Sequence, residues 1–60
     1  MPYQLRFNKL YGWRLWNLHK KEYAVRSFRT RKAAINSAKA YIAYRERKPS
    51  RLVGDKILPD

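Results

Sequence analysis

Residues 3–8 read YQLRFN, and their side chains alternate between apolar and polar along the chain. Residues 13–16 (WRLW) and 23–26 (YAVR) repeat this alternation. Successive side chains of a β-strand point to opposite faces of the sheet, so a period of two indicates a strand with two chemically different faces. The three segments therefore predict strands over about 3–8, 13–18 and 23–28. Hairpin loops of four or five residues would join them as an antiparallel meander.

The alternation gives the two faces of this sheet different expected roles. One face is apolar and is expected to form the core; it holds Leu5, Phe7, Trp13, Leu15, Tyr23 and Val25. The opposite face collects arginine around a tryptophan, with Arg6, Arg14, Trp16 and Arg26. Guanidinium groups contact phosphates and an exposed ring can stack on a base, so this second face favours nucleic-acid binding. The competing interpretation is a small apolar patch around Trp16 that packs on the tail or on another copy.

A helix is predicted after the third strand. Thr30 is placed to cap its N-terminus, and Pro49 would end it. Apolar residues recur between them at helical spacing, at Ala34, Ile35, Ala38, Tyr41 and Ile42. We expect a helix over 31–47 whose stripe packs on the apolar sheet face. The predicted fold is one α+β domain, 1–60, in the order β-β-β-α, with 51–58 as the candidate for a short fourth edge strand.

Charge indicates which partners this chain attracts. Fifteen Lys and Arg against four Asp and Glu give a net charge of +11 on 60 residues. Residues 1–32 hold nine basic residues and one acid, so the strand region carries most of the excess. Such a density attracts polyanions and repels other copies of the chain. Cations at a helix start oppose the helix dipole and point to a bound anion. Phosphate contacts are therefore also expected from the loop and helix-start cations Lys20, Lys21, Arg29, Arg31 and Lys32.

Composition argues against several functional classes. The chain has no Cys, one His and four scattered acids, which leaves little for a metal site, a cofactor or acid–base catalysis. No base is placed to activate a Ser or Thr hydroxyl, so we expect no enzyme activity. A long apolar run and a leader-like N-terminus are both absent, which favours the cytosol and no membrane contact. The expected state is a monomer or weak homodimer.

The segment 13–41 resembles a known group of small DNA-binding domains. Trp13 lies in the second predicted strand, and Phe28, Thr30 and Ala34 form the pattern F-x-T-x-x-x-A at the junction of strand and helix. This pattern is similar to that of the three-stranded-sheet-plus-helix domains of plant ethylene-response factors and of phage and transposon integrase N-termini. Small uncharacterised bacterial and phage domains share it and match best in length. The resemblance implies that the sheet enters the major groove of DNA.

Carried over by position, the resemblance implies DNA contacts by the same four outward residues, Arg6, Arg14, Trp16 and Arg26. The leading expectation is a small DNA-binding protein, phage-encoded or regulatory, that lays its sheet against duplex DNA. One alternative is a protein-interaction or inhibitor module for an acidic protein partner, with Trp16 and Leu18 as anchors. A second alternative is binding of RNA or a single strand, with Trp16 stacking on bases.

Overall fold

The computed structural model describes all residues from 1 to 60 and contains one helix and one five-stranded sheet. The elements are β1 (Tyr3–Asn8), β2 (Gly12–Asn17), β3 (Glu22–Phe28), α1 (Arg31–Glu46), β4 (Ser50–Val53) and β5 (Lys56–Pro59). All strand pairs are antiparallel, and the sheet order is β3-β2-β1-β5-β4. The predicted α+β class and the order of the first four elements are confirmed.

The C-terminal segment differs from its prediction. Residues 51–58 were expected to form one short edge strand, but residues 50–59 form a hairpin of two strands. Val53 pairs with Lys56, so the loop is only Gly54 and Asp55. Gly54 has a φ of +64°, which a two-residue hairpin loop can require of its first residue. The interruption at Gly54-Asp55 is therefore the turn of a hairpin, and β5 joins the sheet beside β1.

The core lies between α1 and one face of the sheet. Its buried side chains are Tyr3, Leu5, Leu15, Ala34, Ala38, Ile42 and Ile57. Three of them lie on α1 at a spacing of four residues, and two of those are alanines, which allow close approach to the sheet. Of the remaining members of the predicted stripe, Ile35 is half-buried, and Tyr41 is partly exposed but packs edge-on against Tyr3. We call this side of the sheet the helix-covered face.

The ends of α1 follow from its sequence. The Thr30 hydroxyl accepts a hydrogen bond from the backbone N–H of Ala33, so the predicted N-cap is confirmed. At the other end Arg47 takes a left-handed conformation, and its N–H donates to the carbonyl of Ala43. The helix therefore ends at Glu46, one residue before its predicted end and shortly before Pro49.

The phase of the alternation in β3 overturns part of the predicted apolar face. Trp13 pairs with Phe28, but Trp16 pairs with Tyr23, so residues 24–26 together face the single residue Leu15. This irregularity adds two residues, so the alternation continues through it: Phe28 shares the face of Trp13, whereas Tyr23 shares the face of Trp16. The assignment of Tyr23 and Val25 to the core is therefore wrong: Tyr23 packs against Trp16 on the opposite face, and Val25 is fully exposed. Ala24, expected to face outward, packs against the core instead.

Phe7 is a further exception to the predicted core. It lies on the helix-covered face next to Trp13, with ring centroids 5.3 Å apart, but its side chain is 62% exposed. β5 pairs with β1 only at Tyr3 and Gln4, so the far end of β1 extends beyond its neighbour. Phe7 therefore lies at an uncovered margin of the sheet.

Two asparagines shape the hairpin loops. The Asn8 side-chain oxygen accepts hydrogen bonds from the backbone N–H groups of Leu10 and Tyr11. The Asn17 oxygen does the same for His19 and Lys20, and Asn17 is the one buried polar residue of the chain. Each asparagine thus satisfies the backbone donors of its loop and holds the tight turn after its strand.

The buried phenol of Tyr3 should make stability fall faster at alkaline pH. Burial raises the pKa of Tyr3 above its ordinary value, and Tyr41 and Glu46 add to this shift while Arg45 opposes it. A group with a raised folded-state pKa contributes stability that is intact below its unfolded pKa, about 10, and is lost as the pH rises through the folded value. Tyr3→Phe should therefore lose less stability than the wild type above about pH 10. Urea unfolding at several pH values measures this.

The control for this experiment is Tyr44→Phe, which removes a hydroxyl from a ring that is 80% exposed. It should keep the pH dependence of the wild type. Identical profiles for Tyr3→Phe and the wild type would contradict the role assigned to the Tyr3 phenol.

Candidate nucleic-acid interface

The sheet face opposite α1 is uncovered, and we call it the open face. The pairing registers place on it Gln4, Arg6, Arg14, Trp16, Tyr23, Ser27, Arg51, Val53, Lys56 and Leu58. Four of these side chains are basic and none is acidic. Arg6 and Arg14 lie near the middle of the face on β1 and β2, whereas Lys56 and Arg51 lie on the C-terminal hairpin. The predicted face for Arg6, Arg14 and Trp16 is confirmed.

Arginine and aromatic side chains pack together at the centre of the open face. The Arg6 guanidinium lies 4.6 Å from the centre of the Trp16 ring, and its Nη1 donates to the Tyr23 hydroxyl at 3.4 Å. The Arg14 guanidinium lies 3.7 Å from the centre of the Tyr23 ring and 5.1 Å from that of Tyr11. Trp16 and Tyr23 contact each other edge to face at 4.8 Å. We call these five residues the arginine–aromatic cluster.

The cluster holds two like charges beside one another. Arg6 and Arg14 are direct cross-strand partners, and like charges at directly opposed positions destabilise a sheet. The rings beneath them compensate in part, since a cation over an exposed aromatic ring is stabilised by about 0.5–1 kcal/mol. Neither guanidinium has a carboxylate partner: the ion pairs of the molecule are the Met1 amino group with Glu46 and Arg51 with Asp60. An anion bound between Arg6 and Arg14 would neutralise this repulsion.

Arg26 does not belong to this cluster, contrary to its predicted position. Its guanidinium lies 5.5 Å from the centre of the Phe28 ring, and Phe28 packs against the core on the helix-covered face. The phase of β3 is the reason, because Arg26 is two residues from Phe28 and shares its face, which is also the face of Trp13. Arg26 is thus directed to the other side of the sheet from Arg14.

The other predicted contact residues are spread along the molecule. Lys20 and Lys21 lie in the loop before β3, whereas Arg29, Arg31 and Lys32 follow its opposite end, and all five are exposed. Arg31 has a structural partner, since its guanidinium donates to the carbonyl oxygen of Gly54 at 2.9 Å. This bond joins the start of α1 to the β4–β5 turn, so this cation at the helix start needs no bound anion to explain it.

Four residues of the interface were not predicted. Tyr23 was missed because the apolar face of β3 was assigned to the wrong set of alternating residues. Arg51 and Lys56 were missed because residues 50–59 were not expected to form a hairpin beside β1. Tyr11 could have been found, since an aromatic residue in a loop held by an Asx turn projects next to the strand that follows. Its position is fixed by Asn8, which accepts the Tyr11 N–H.

The structure was also searched for a metal site and for a membrane-spanning helix. No three His, Asp or Glu side chains lie close enough together to hold a metal ion. The single helix has neither the length nor the apolar character required to cross a membrane. Comparison of the chain with protein-family models, with curated proteins and with solved structures found no match.

Proposed function

We propose that this protein is a non-enzymatic DNA-binding protein that contacts duplex DNA through its open face. The observation that carries the proposal is the Arg6–Arg14 pair: two opposed guanidinium groups, braced on aromatic rings, without a carboxylate partner. Phosphate groups are the anions that guanidinium groups contact most readily, often through two hydrogen bonds at once. Of fifteen basic side chains only Arg51 is paired with a carboxylate, so the remaining fourteen attract a polyanion.

The arrangement of Trp16 favours a duplex over a single strand. Single-strand binders present open aromatic faces on which bases stack. Here the Arg6 guanidinium covers one face of the Trp16 ring, and the ring edge contacts Tyr23. Trp16 therefore supports an arginine that reaches outward, and duplex DNA offers that arginine both phosphates and the edges of guanine. Double-stranded RNA offers less, because its major groove is too narrow for side chains to read.

The width of the sheet determines how it can lie on DNA. Five strands at a spacing of about 4.8 Å span about 19 Å, which exceeds the major-groove width of about 12 Å. The whole face cannot enter the groove, so we propose that the central cluster faces it while Lys56 and Lys21 contact phosphates at its borders. A three-stranded sheet, as in the DNA-binding domains that the segment 13–41 resembles, spans only about 10 Å and lacks this limit.

A salt titration tests the proposal. We expect binding to a 20-base-pair duplex to weaken with salt, with a slope of log K against log salt of about −4 to −7. This corresponds to roughly five to eight phosphate contacts at about 0.9 per contact. Fluorescence anisotropy with duplex DNA, single-stranded DNA and double-stranded RNA of the same sequence measures it. A slope near zero, or tighter binding of the single strand at every salt concentration, would contradict the proposal.

A further inference from the structure

A groove lies on the helix-covered face, between β3 and α1, and takes no part in the proposed DNA contact. Its volume is about 330 Å³, at the lower end of the range for ligand pockets. The walls carry small side chains, with Ala24 on β3 and with Ser37 and Ala38 on α1. Tyr3 and Leu15 contribute apolar surface from the neighbouring strands. The small side chains at these three positions leave space between β3 and α1 unfilled.

The margins of the groove expose apolar surface. The Val25 side chain on β3 lies entirely in solvent, and the Tyr41 ring on α1 is 39% exposed. Both residues line the groove, so an occupant would cover them as well. Exposed apolar surface that is contiguous with a recess is typical of an interaction site.

Charge at the margins indicates the sign of the occupant. Lys20 and Arg26 line the groove from opposite ends of β3, and neither forms an ion pair. Glu22 is the single acidic residue of the lining, between them along the chain. The surrounding molecule carries a net charge of +11, which opposes a second copy of this chain as the occupant.

We propose that the groove binds an amphipathic helix of another protein, with apolar residues that face the groove and acidic residues towards both ends. A helix that inserts apolar side chains at i, i+4 and i+7 is a common occupant of such grooves. Lys20 and Arg26 are six positions apart in the chain, so at most about 20 Å separates them. Acidic residues about three helical turns apart would span most of this distance.

The two faces are separate, so both partners can bind at once. The open face and the groove lie on opposite sides of the sheet, and no member of the arginine–aromatic cluster other than Tyr23 borders the groove. The proposal is therefore independent of DNA binding, and either can fail alone. If both hold, the protein links duplex DNA to an acidic protein.

The test is an NMR titration of the ¹⁵N-labelled chain with a synthetic 14-residue amphipathic peptide that carries leucines on one face and glutamates at both ends. We expect saturable shifts confined to residues of the groove. The same peptide with lysine in place of every glutamate should bind at least tenfold more weakly. Absence of saturation at 1 mM peptide, equal binding of the two peptides, or shifts centred on Arg6 and Arg14 would overturn the proposal.

Variants locate the binding independently of the shifts. Ser37→Leu places a large side chain in the groove, and it should abolish peptide binding while duplex binding is unchanged. Arg26→Gln should weaken peptide binding about two- to fivefold, as expected for the loss of a partly exposed ion pair. Unlike Ser37→Leu, this substitution adds no side chain that fills the groove. Arg14→Gln is the matched control and should leave peptide binding unchanged. Peptide binding that persists in Ser37→Leu, or that responds equally to Arg14→Gln and Arg26→Gln, would contradict the assignment.

Discussion

Ile57→Ala should lower the free energy of unfolding by about 3–4 kcal/mol, close to the total stability of about 3–9 kcal/mol expected for a chain of 60 residues. Ile57 has no exposed surface and, with Ile42, is one of the two largest fully buried side chains. It pairs with Tyr3 on β1 and with Leu52 on β4, so it joins the C-terminal hairpin to the core. Its truncation removes apolar contacts and leaves a cavity that a small domain has few ways to close.

Val53→Ala is the matched control for this prediction. Val53 lies in the same hairpin, but its side chain is 54% exposed on the open face. The same kind of truncation should cost less than about 1 kcal/mol there. Urea unfolding followed by tryptophan fluorescence compares the two variants. Equal small losses would show that the C-terminal hairpin is not part of the core.

Gly12→Ala should be destabilising by about 3 kcal/mol or more. Gly12 begins β2 with a φ of +82°, which disfavours any residue with a Cβ. A Cβ at this position would also lie 2.5 Å from the carbonyl oxygen of Phe28, which is backbone and cannot rotate away. The backbone pairing of Trp13 with Phe28 would have to open, and with it the junction between β3 and α1.

Gly54→Ala separates the two causes of the Gly12→Ala destabilisation, which are the backbone strain at a positive φ and the clash of the added Cβ. Gly54 also has a positive φ, +64°, but an added Cβ meets no atom within 4 Å. Its substitution should therefore cost only the backbone strain, about 1 kcal/mol. Thermal unfolding of both variants gives the comparison. A Gly12→Ala variant no less stable than Gly54→Ala would mean that Phe28 does not approach β2 as closely as described.

Strand alternation and helical spacing sufficed to predict most of this fold. The period of two in residues 3–8 and 13–16 assigned Leu5 and Leu15 to the core and Arg6, Arg14 and Trp16 to the opposite face. The spacing of Ala34, Ala38 and Ile42 identified the buried side of α1. These predictions succeeded because the periodicity of a regular segment shows which of its side chains share a face. This does not require knowledge of the neighbouring segments.

The errors have a different origin, since each depends on contacts between segments. In β3 the apolar residues Tyr23 and Phe28 lie on opposite faces, and the pairing with β2 is what places Phe28 on the helix-covered face. Ala24 and Arg26 share that face with Phe28 because alternate residues of a strand point the same way. The turn between β4 and β5 has a signal in the sequence, since Gly54-Asp55 separates two short apolar runs, whereas the place of β5 beside β1 depends on contacts that the sequence does not show. Arg6, Arg14 and Trp16 of the candidate interface could thus be predicted, whereas Tyr23, Arg51 and Lys56 required the structure.

We expect DNA to bind to the open face of the sheet, and not equally to basic residues anywhere on the surface of the molecule. Three arginines test it by the same loss of one charge: Arg14 on the open face, Arg26 on the helix-covered face and Arg45 in the last turn of α1. The measurement is the affinity of Arg14→Gln, Arg26→Gln and Arg45→Gln for one 20-base-pair duplex at a single salt concentration. Arg14→Gln should weaken binding about 5- to 30-fold, or about 1–2 kcal/mol, and the other two less than about threefold. Equal losses for all three variants would contradict the claim.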